Sequence, residues 1–214
     1  MNYNTKQEVV DLLCDFLQVW IHQILYHRNI YPHDAFTLRK KYDVPVQMMT
    51  HPGVNQYVAD FVSLIRPILT KGSCRSVSLV VLSAQQRPLE RFVFEVESLS
   101  DQSSSHVPLS IDGSNQTRAC VQQHIRACLL KMHACGSMLS TNPPECTYSL
   151  SAEIHSESFP PDTEKQIDWV PAEYNHTTEG GSWANFVTLK TIQMDLFKVH
   201  TFILEAEKKG KGVL

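Results

Sequence analysis

Arg39-Lys-Lys-Tyr-Asp-Val-Pro-Val-Gln47, followed by His51-Pro-Gly-Val-Asn-Gln-Tyr57 and an apolar pattern running through Pro67, is the stretch whose reading decides the fold. Proline lacks an N–H and has a fixed φ, so central strands and helix interiors exclude it. Pro45 therefore confines any strand through Tyr42–Val46 to a sheet edge. Beyond it, Val54, Tyr57, Val58, Phe61, Ile65 and Ile68 recur at helical spacing. They predict a helix ending at Lys71-Gly72, with Gly72 as its C-terminal cap and a kink or break at Pro67. Tyr57 opens the apolar face of that helix. The segment is either scaffold or part of a surface that grips something.

On the N-terminal side, Thr5-Lys-Gln-Glu8 reads as a capping box. The helix it starts carries Val9, Leu13, Phe16, Leu17, Trp20 and Ile24 at helical spacing. Val10, Leu12, Val19, Ile21 and Leu25 widen the stripe, so the helix is expected to be central and to end before Pro32. Residues 30–52, punctuated by prolines, read as extended. On the C-terminal side, Ser76–Leu82 and Leu89–Val96 predict a strand hairpin, the first strand central because its apolar run is nearly continuous. Ser98–Ser114 reads as a loop. A third helix carries Val121, Ile125, Cys128, Leu129, Met132, Cys135 and Leu139 on one face. Cys146, Tyr148, Leu150, Ala152 and Ile154 then alternate as a strand. Residues 155–185 are too apolar for a linker and too irregular for a core, and Leu189–Glu205 predicts a C-terminal hairpin. The expectation is one domain with a C-terminal segment of roughly 60 residues laid over its surface.

Several functions are disfavoured by composition. The chain has 214 residues, of which 43% are hydrophobic, enough for a substantial core. A formal charge of -3 offers no basic field for direct binding to nucleic acid. Charged and polar residues interrupt the apolar stretch Val9–Tyr26, which argues against a membrane span, and the N-terminus does not read as a signal peptide. The six cysteines form no C-x-x-C pair and read as reduced, three of them on apolar helix faces. The ten histidines lack metal-ligand spacing, and no phosphate-cradling loop or nucleophile motif is present. No metal, no cofactor and no enzymatic activity are expected.

Three blocks carry a resemblance: Leu25-Tyr-His-Arg-Asn-Ile-Tyr-Pro32, Lys40-Lys-Tyr-Asp-Val-Pro-Val-Gln47 with Asn55-Gln-Tyr57, and Arg87-Pro-Leu-Glu-Arg-Phe-Val-Phe-Glu95. Asn142-Pro-Pro144, Trp169 and Leu189-Lys-Thr191 follow in matching order. Together they resemble the HORMA domain family, and within it the branch that serves translesion DNA polymerase zeta as a non-catalytic subunit. The resemblance implies an α+β fold, three helices on a mostly antiparallel sheet, with a C-terminal safety belt that closes around a Pro-containing peptide. It implies a core of about 6–154, a belt and hairpin of about 155–207 and a short basic tail of 208–214.

It also implies roles for individual residues. Tyr57, Leu64 and Trp169 would bind the peptide of the polymerase catalytic subunit. By spacing alone, Tyr57 reads as a half-buried helix aromatic and Trp169 as a staple for a loop. Phe186, Lys190, His200 and Phe202 would dock the C-terminal domain of a Y-family scaffold polymerase. The best-known pattern has Leu, Gln and Tyr at the first, third and fourth of these positions. Apolar bodies persist at 186 and 202, while the hydrogen-bonding groups differ. Arg126 and Ser137, read as lying on one helix, would pair two HORMA domains of the same or different chains. An AAA+ remodelling ATPase and an anaphase-promoting-complex activator are further implied partners, and the nucleus, with the cytoplasm second, the implied location. The rival reading within the family is a spindle-checkpoint protein that captures cell-division regulators.

Overall fold

The computed structural model describes residues 6–98, 118–155, 170, 182–193, 197–207 and 209. The capping box at Thr5, the loop of 99–114 and most of 156–181 lie outside these residues. The first helix, α1, spans Lys6–His27 and buries residues on nearly every side, Phe16, Leu17, Trp20, Ile21 and Ile24 among them. Its apolar length suits a bilayer, but here those side chains fill the centre of the molecule, as the wide stripe predicts.

A three-residue 3-10 turn (His33–Ala35) leads into β1 (Phe36–Lys41) and β2 (Val44–Met49), which form a two-stranded sheet of their own. The sequence reading of this region as merely extended misses the hairpin. Tyr42 and Asp43 both adopt positive φ, 51° and 59°, which matches the right-handed twist of the flanking strands. Neither is the Gly usually found there, so the turn signal is weak. Pro45 sits opposite Lys40 in a ribbon where both strands are edges, as its missing N–H requires.

The hairpin is sewn onto α1. Lys41 and the Tyr42 hydroxyl donate to the two oxygens of Asp15, at 3.0 and 2.8 Å. Gln23 Nε2 donates to the Gln47 carbonyl at 2.7 Å, and the Met49 N–H to His22 Nδ1 at 3.2 Å.

Helix α2 (Pro52–Lys71) begins with Pro at its first turn and ends at Gly72, φ 77°, whose N–H reaches the Ile68 and Leu69 carbonyls. The break expected at Pro67 does not occur. The helix continues to Lys71, because Ile65, Ile68 and Leu69 on either side of the proline are buried in the core and tertiary packing outweighs one lost hydrogen bond.

The main sheet has five strands: β3 (Cys74–Leu82), β4 (Pro88–Ser98), β5 (Thr147–Ile154), β6 (Trp183–Gln193) and β7 (Phe197–Ala206). Their order is β5-β3-β4-β7-β6, with every pairing antiparallel. The central position expected for β3 and the C-terminal hairpin are both found. That hairpin is not laid over the domain. It extends the sheet, because the alternating Val199, Thr201 and Ile203 give β7 one buried face to set beside β4.

Helices α3 (Arg118–His133) and α4 (Cys135–Met138) replace the single helix expected through Leu139. All seven of its apolar positions are buried nonetheless. The helices lie between the large sheet and the small hairpin. Trp20 meets Phe92 and Phe94 edge-on, and Phe16 touches Phe94 on one side and Tyr42 on the other.

Two histidines of α1 make stability depend on pH. Burial depresses His22 to a pKa of about 4. Burial, then His133, His33 and Arg28, does the same for His27, whose ring lies 5.0 Å from that of His133. The unfolded chain binds these protons near the ordinary 6.5, so stability is intact above that value and is lost as pH falls towards 4. Urea denaturation should show a loss of about 2 kcal/mol per histidine between pH 7 and pH 5. His22→Gln and His27→Gln should each flatten the profile.

Candidate functional site

The start of α2 points Tyr57 outward; the side chain is 47% exposed. Its ring meets Tyr148 of β5 at 6.0 Å in an edge arrangement, and Tyr31 meets the same Tyr148 at 6.2 Å. The three rings form an aromatic cluster beside β5, of which the sequence reading picked only Tyr57. Burial, followed by Tyr31 and Tyr57, pushes the Tyr148 hydroxyl well above its ordinary pKa. It therefore stays protonated and able to donate. Tyr31 and Tyr148 were hidden because one lies just past the first helix and the other reads as an ordinary strand aromatic. Leu64, seven residues beyond Tyr57 and thus on the same helical face, is half-buried. Trp169 lies outside the described residues.

The cluster lies beside β5. This strand pairs with β3 along one edge. Among the described residues no strand pairs with the other edge, and its side chains from Tyr148 to Ile154 are half-buried. An open backbone edge next to an aromatic cluster can accept an extended chain by main-chain hydrogen bonds.

A second surface lies at the opposite end of the sheet. Phe186 and Phe202 come together across β6 and β7 with ring centroids 5.0 Å apart, and Phe186 is 60% exposed. His200 shares the face of Phe202 by strand alternation. Its Nδ1 lies 3.0 Å from the Thr191 hydroxyl and its Nε2 3.9 Å from Glu97. Lys190 is not on that face. A register shift between Thr188 and Lys190 sets it opposite Thr201, whose hydroxyl accepts from the Lys190 N–H at 3.1 Å and donates to its carbonyl at 2.8 Å. A bulge of this kind is invisible to strand alternation in sequence.

Arg126 holds a turn. Its Nε donates to the Tyr42 carbonyl at 3.2 Å and its Nη2 to Asp43 at 2.9 Å, joining α3 to the β1–β2 hairpin. Ser137 is exposed on α4, beyond the helix that carries Arg126, and donates to the Ala134 carbonyl at 2.8 Å.

The six cysteines are unpaired. Burial pushes Cys14, Cys128 and Cys135 to about 11, which makes them poor nucleophiles at neutral pH. Among the described residues no group of three His, Cys, Asp or Glu side chains could hold a metal ion.

The HORMA domain family model matches residues 9–153. This chain belongs to the HORMA domain family. A zebrafish (Danio rerio) protein named mitotic spindle assembly checkpoint protein MAD2B is 36% identical over 97% of this chain and 95% of its own length. Its human counterpart of the same name is 35% identical with the same coverage. A fission-yeast (Schizosaccharomyces pombe) relative, named DNA polymerase zeta processivity subunit, is 27% identical over 80% of each chain. Among solved structures, a chain of the mitotic checkpoint complex superposes with a TM-score of 0.75 at 20% identity, covering 94% of this chain and 99% of that one. C. elegans HTP-2 bound to the HIM-3 closure motif gives 0.73 at 13% identity, covering 95% and 92%. These structures share the HORMA fold expected from the resemblance, helices with an antiparallel sheet.

Arg126→Ala removes two hydrogen bonds from the hairpin turn. The expected cost is about 1 kcal/mol of unfolding free energy, with the fold retained by circular dichroism.

Proposed function

We propose that the protein is a non-enzymatic adaptor of translesion DNA synthesis that captures an extended, Pro-containing peptide of the polymerase zeta catalytic subunit along the open edge of β5. The observation that carries this reading is the edge of β5 that no strand pairs with among the described residues, flanked by Tyr57, Tyr31 and Tyr148. Main-chain hydrogen bonds would supply affinity, and the aromatic cluster would read apolar and Pro side chains. Leu64 lies on the same helical face as Tyr57, and Trp169, assigned from the family resemblance alone, is the belt residue proposed to bind the peptide. The processivity-subunit name of the fission-yeast relative supports the polymerase partner.

Closure of the belt over the peptide slows its release more than contact area alone does. The surface of Phe186, Phe202 and His200 then docks the C-terminal domain of a Y-family scaffold polymerase, with Lys190 at its margin. Arg126 and Ser137 belong to the surface on which a second HORMA domain pairs. A AAA+ ATPase reopens the belt. The adaptor works in the nucleus, without direct contact with nucleic acid. The checkpoint name of the vertebrate relatives supports a second reading, capture of a cell-division regulator such as an anaphase-promoting-complex activator.

Calorimetric titration separates the two readings. A Pro-containing peptide of the catalytic subunit should bind, a checkpoint-receptor peptide should not, and the reverse favours the second reading. Tyr57→Ala should weaken the bound peptide at least tenfold, as loss of an aromatic anchor does, and Phe186→Ala should leave it unchanged. If Tyr57→Ala folds and binds at full strength, the site is wrongly assigned.

A further inference from the structure

At the end of the sheet near the C-terminus, four charged side chains are packed almost out of contact with water. Glu90 on β4 is fully buried, and Arg28, just past α1, is 5% exposed. Lys209, past the last strand, is 2% exposed and Glu205 on β7 is 8% exposed. Arg28 grips Glu90 through Nε at 3.0 and 2.9 Å and through Nη2 at 2.5 Å. Lys209 bridges the carboxylates: it lies against Glu90 and 2.6 Å from Glu205.

Ser140 ties the group together. Its carbonyl accepts from Arg28 at 2.6 Å and from Lys209 at 3.1 Å. Its N–H and hydroxyl donate to Glu205 at 2.8 and 2.6 Å. Asn185 of β6 donates to the other oxygen of Glu205 at 3.0 Å. Glu90 and Glu205 are register partners across β4 and β7.

The division of charge between elements is informative. Arg28 and Glu90 form a neutral pair on the body of the domain. Glu205 and Lys209 form another at the end of the C-terminal hairpin. A buried ion left without a partner is strongly destabilising, whereas a complete pair is tolerated. We propose that the four side chains are a charge-balanced latch. It holds the β6–β7 hairpin against β4, and it parts into two neutral halves when the hairpin leaves the sheet. Either state is free of a stranded charge. Without Lys209 the closed position carries a buried excess of negative charge. The inference rests on the reading of the C-terminal third as a movable belt, and it adds the element that sets how firmly the belt's end is held.

The test is amide hydrogen exchange on the full-length protein, comparing 183–193 and 197–206 with 74–82. Lys209→Met should accelerate exchange in the hairpin about tenfold or more and leave β3 unchanged. Lys209→Arg should stay close to the parent. The double variant E205Q/K209M restores balance and should exchange more slowly than K209M alone. If K209M does not fold, the same comparison is made with E205Q, which the double variant should also improve upon. An unaltered hairpin in K209M, or a double variant whose effects simply add, overturns the latch. Failure of the peptide reading shows separately, as absence of peptide capture by the parent protein. Failure of the latch shows as absence of charge coupling in a protein that does capture.

Discussion

Everything in this molecule is arranged around the burial of α1. Its aromatic residues Phe16 and Trp20 pack onto Phe92 and Phe94 of the sheet, while its polar residues Asp15, His22 and Gln23 hold the β1–β2 hairpin on the opposite side. Truncating one buried aromatic generally costs about 3–5 kcal/mol, a large part of a typical domain's stability of about 5–15 kcal/mol. With α1 fixed, α2 and α3 are laid beside it and the sheet is covered on its inner face. The body can then be stable without the strands at the rim of the sheet contributing equally.

That inequality gives the fold its functional character. β3 and β4 are paired on both sides, whereas among the described residues β5 and β6 terminate the sheet. The β5 edge is flanked by an aromatic cluster suited to an incoming strand. At the other end, the β6–β7 hairpin carries the exposed Phe186–Phe202 pair and is fastened near the C-terminus by the four-charge cluster. A sheet with a firm centre and two addressable ends suits an adaptor that holds different proteins at once. The Glu205 carboxylate illustrates the fastening. Burial alone would raise its pKa, yet Lys209, Ser140 and Asn185 together draw it down to about 2. The carboxylate therefore stays ionised at any physiological pH.

Most of this architecture can be read from the residue pattern, because periodicity reports burial directly. The wide stripe of α1, the continuous apolar run of β3 and the alternation in β5 each had one physical solution. The features that escaped share a different origin. The Tyr42-Asp43 turn lacks glycine, so its left-handed backbone has no marker in the sequence. Pro67 carries a local breaking signal that tertiary packing overrides. The bulge at Lys190 shifts the register by one residue and moves that side chain off the face of Phe202. The site was partly legible: Tyr57 stood out, but its neighbours Tyr31 and Tyr148 are brought together only by the fold. The four-charge cluster joins residues from three separate stretches of chain, a juxtaposition that no local pattern encodes.

The central claim is that the edge of β5 left unpaired among the described residues receives an extended peptide. Peptide-dependent hydrogen exchange along 147–154 tests it most directly. Binding of a Pro-containing catalytic-subunit peptide should slow exchange within β5 and leave the already paired β4 unchanged. Tight binding with no added protection in β5 would contradict the account and place the peptide elsewhere on the molecule.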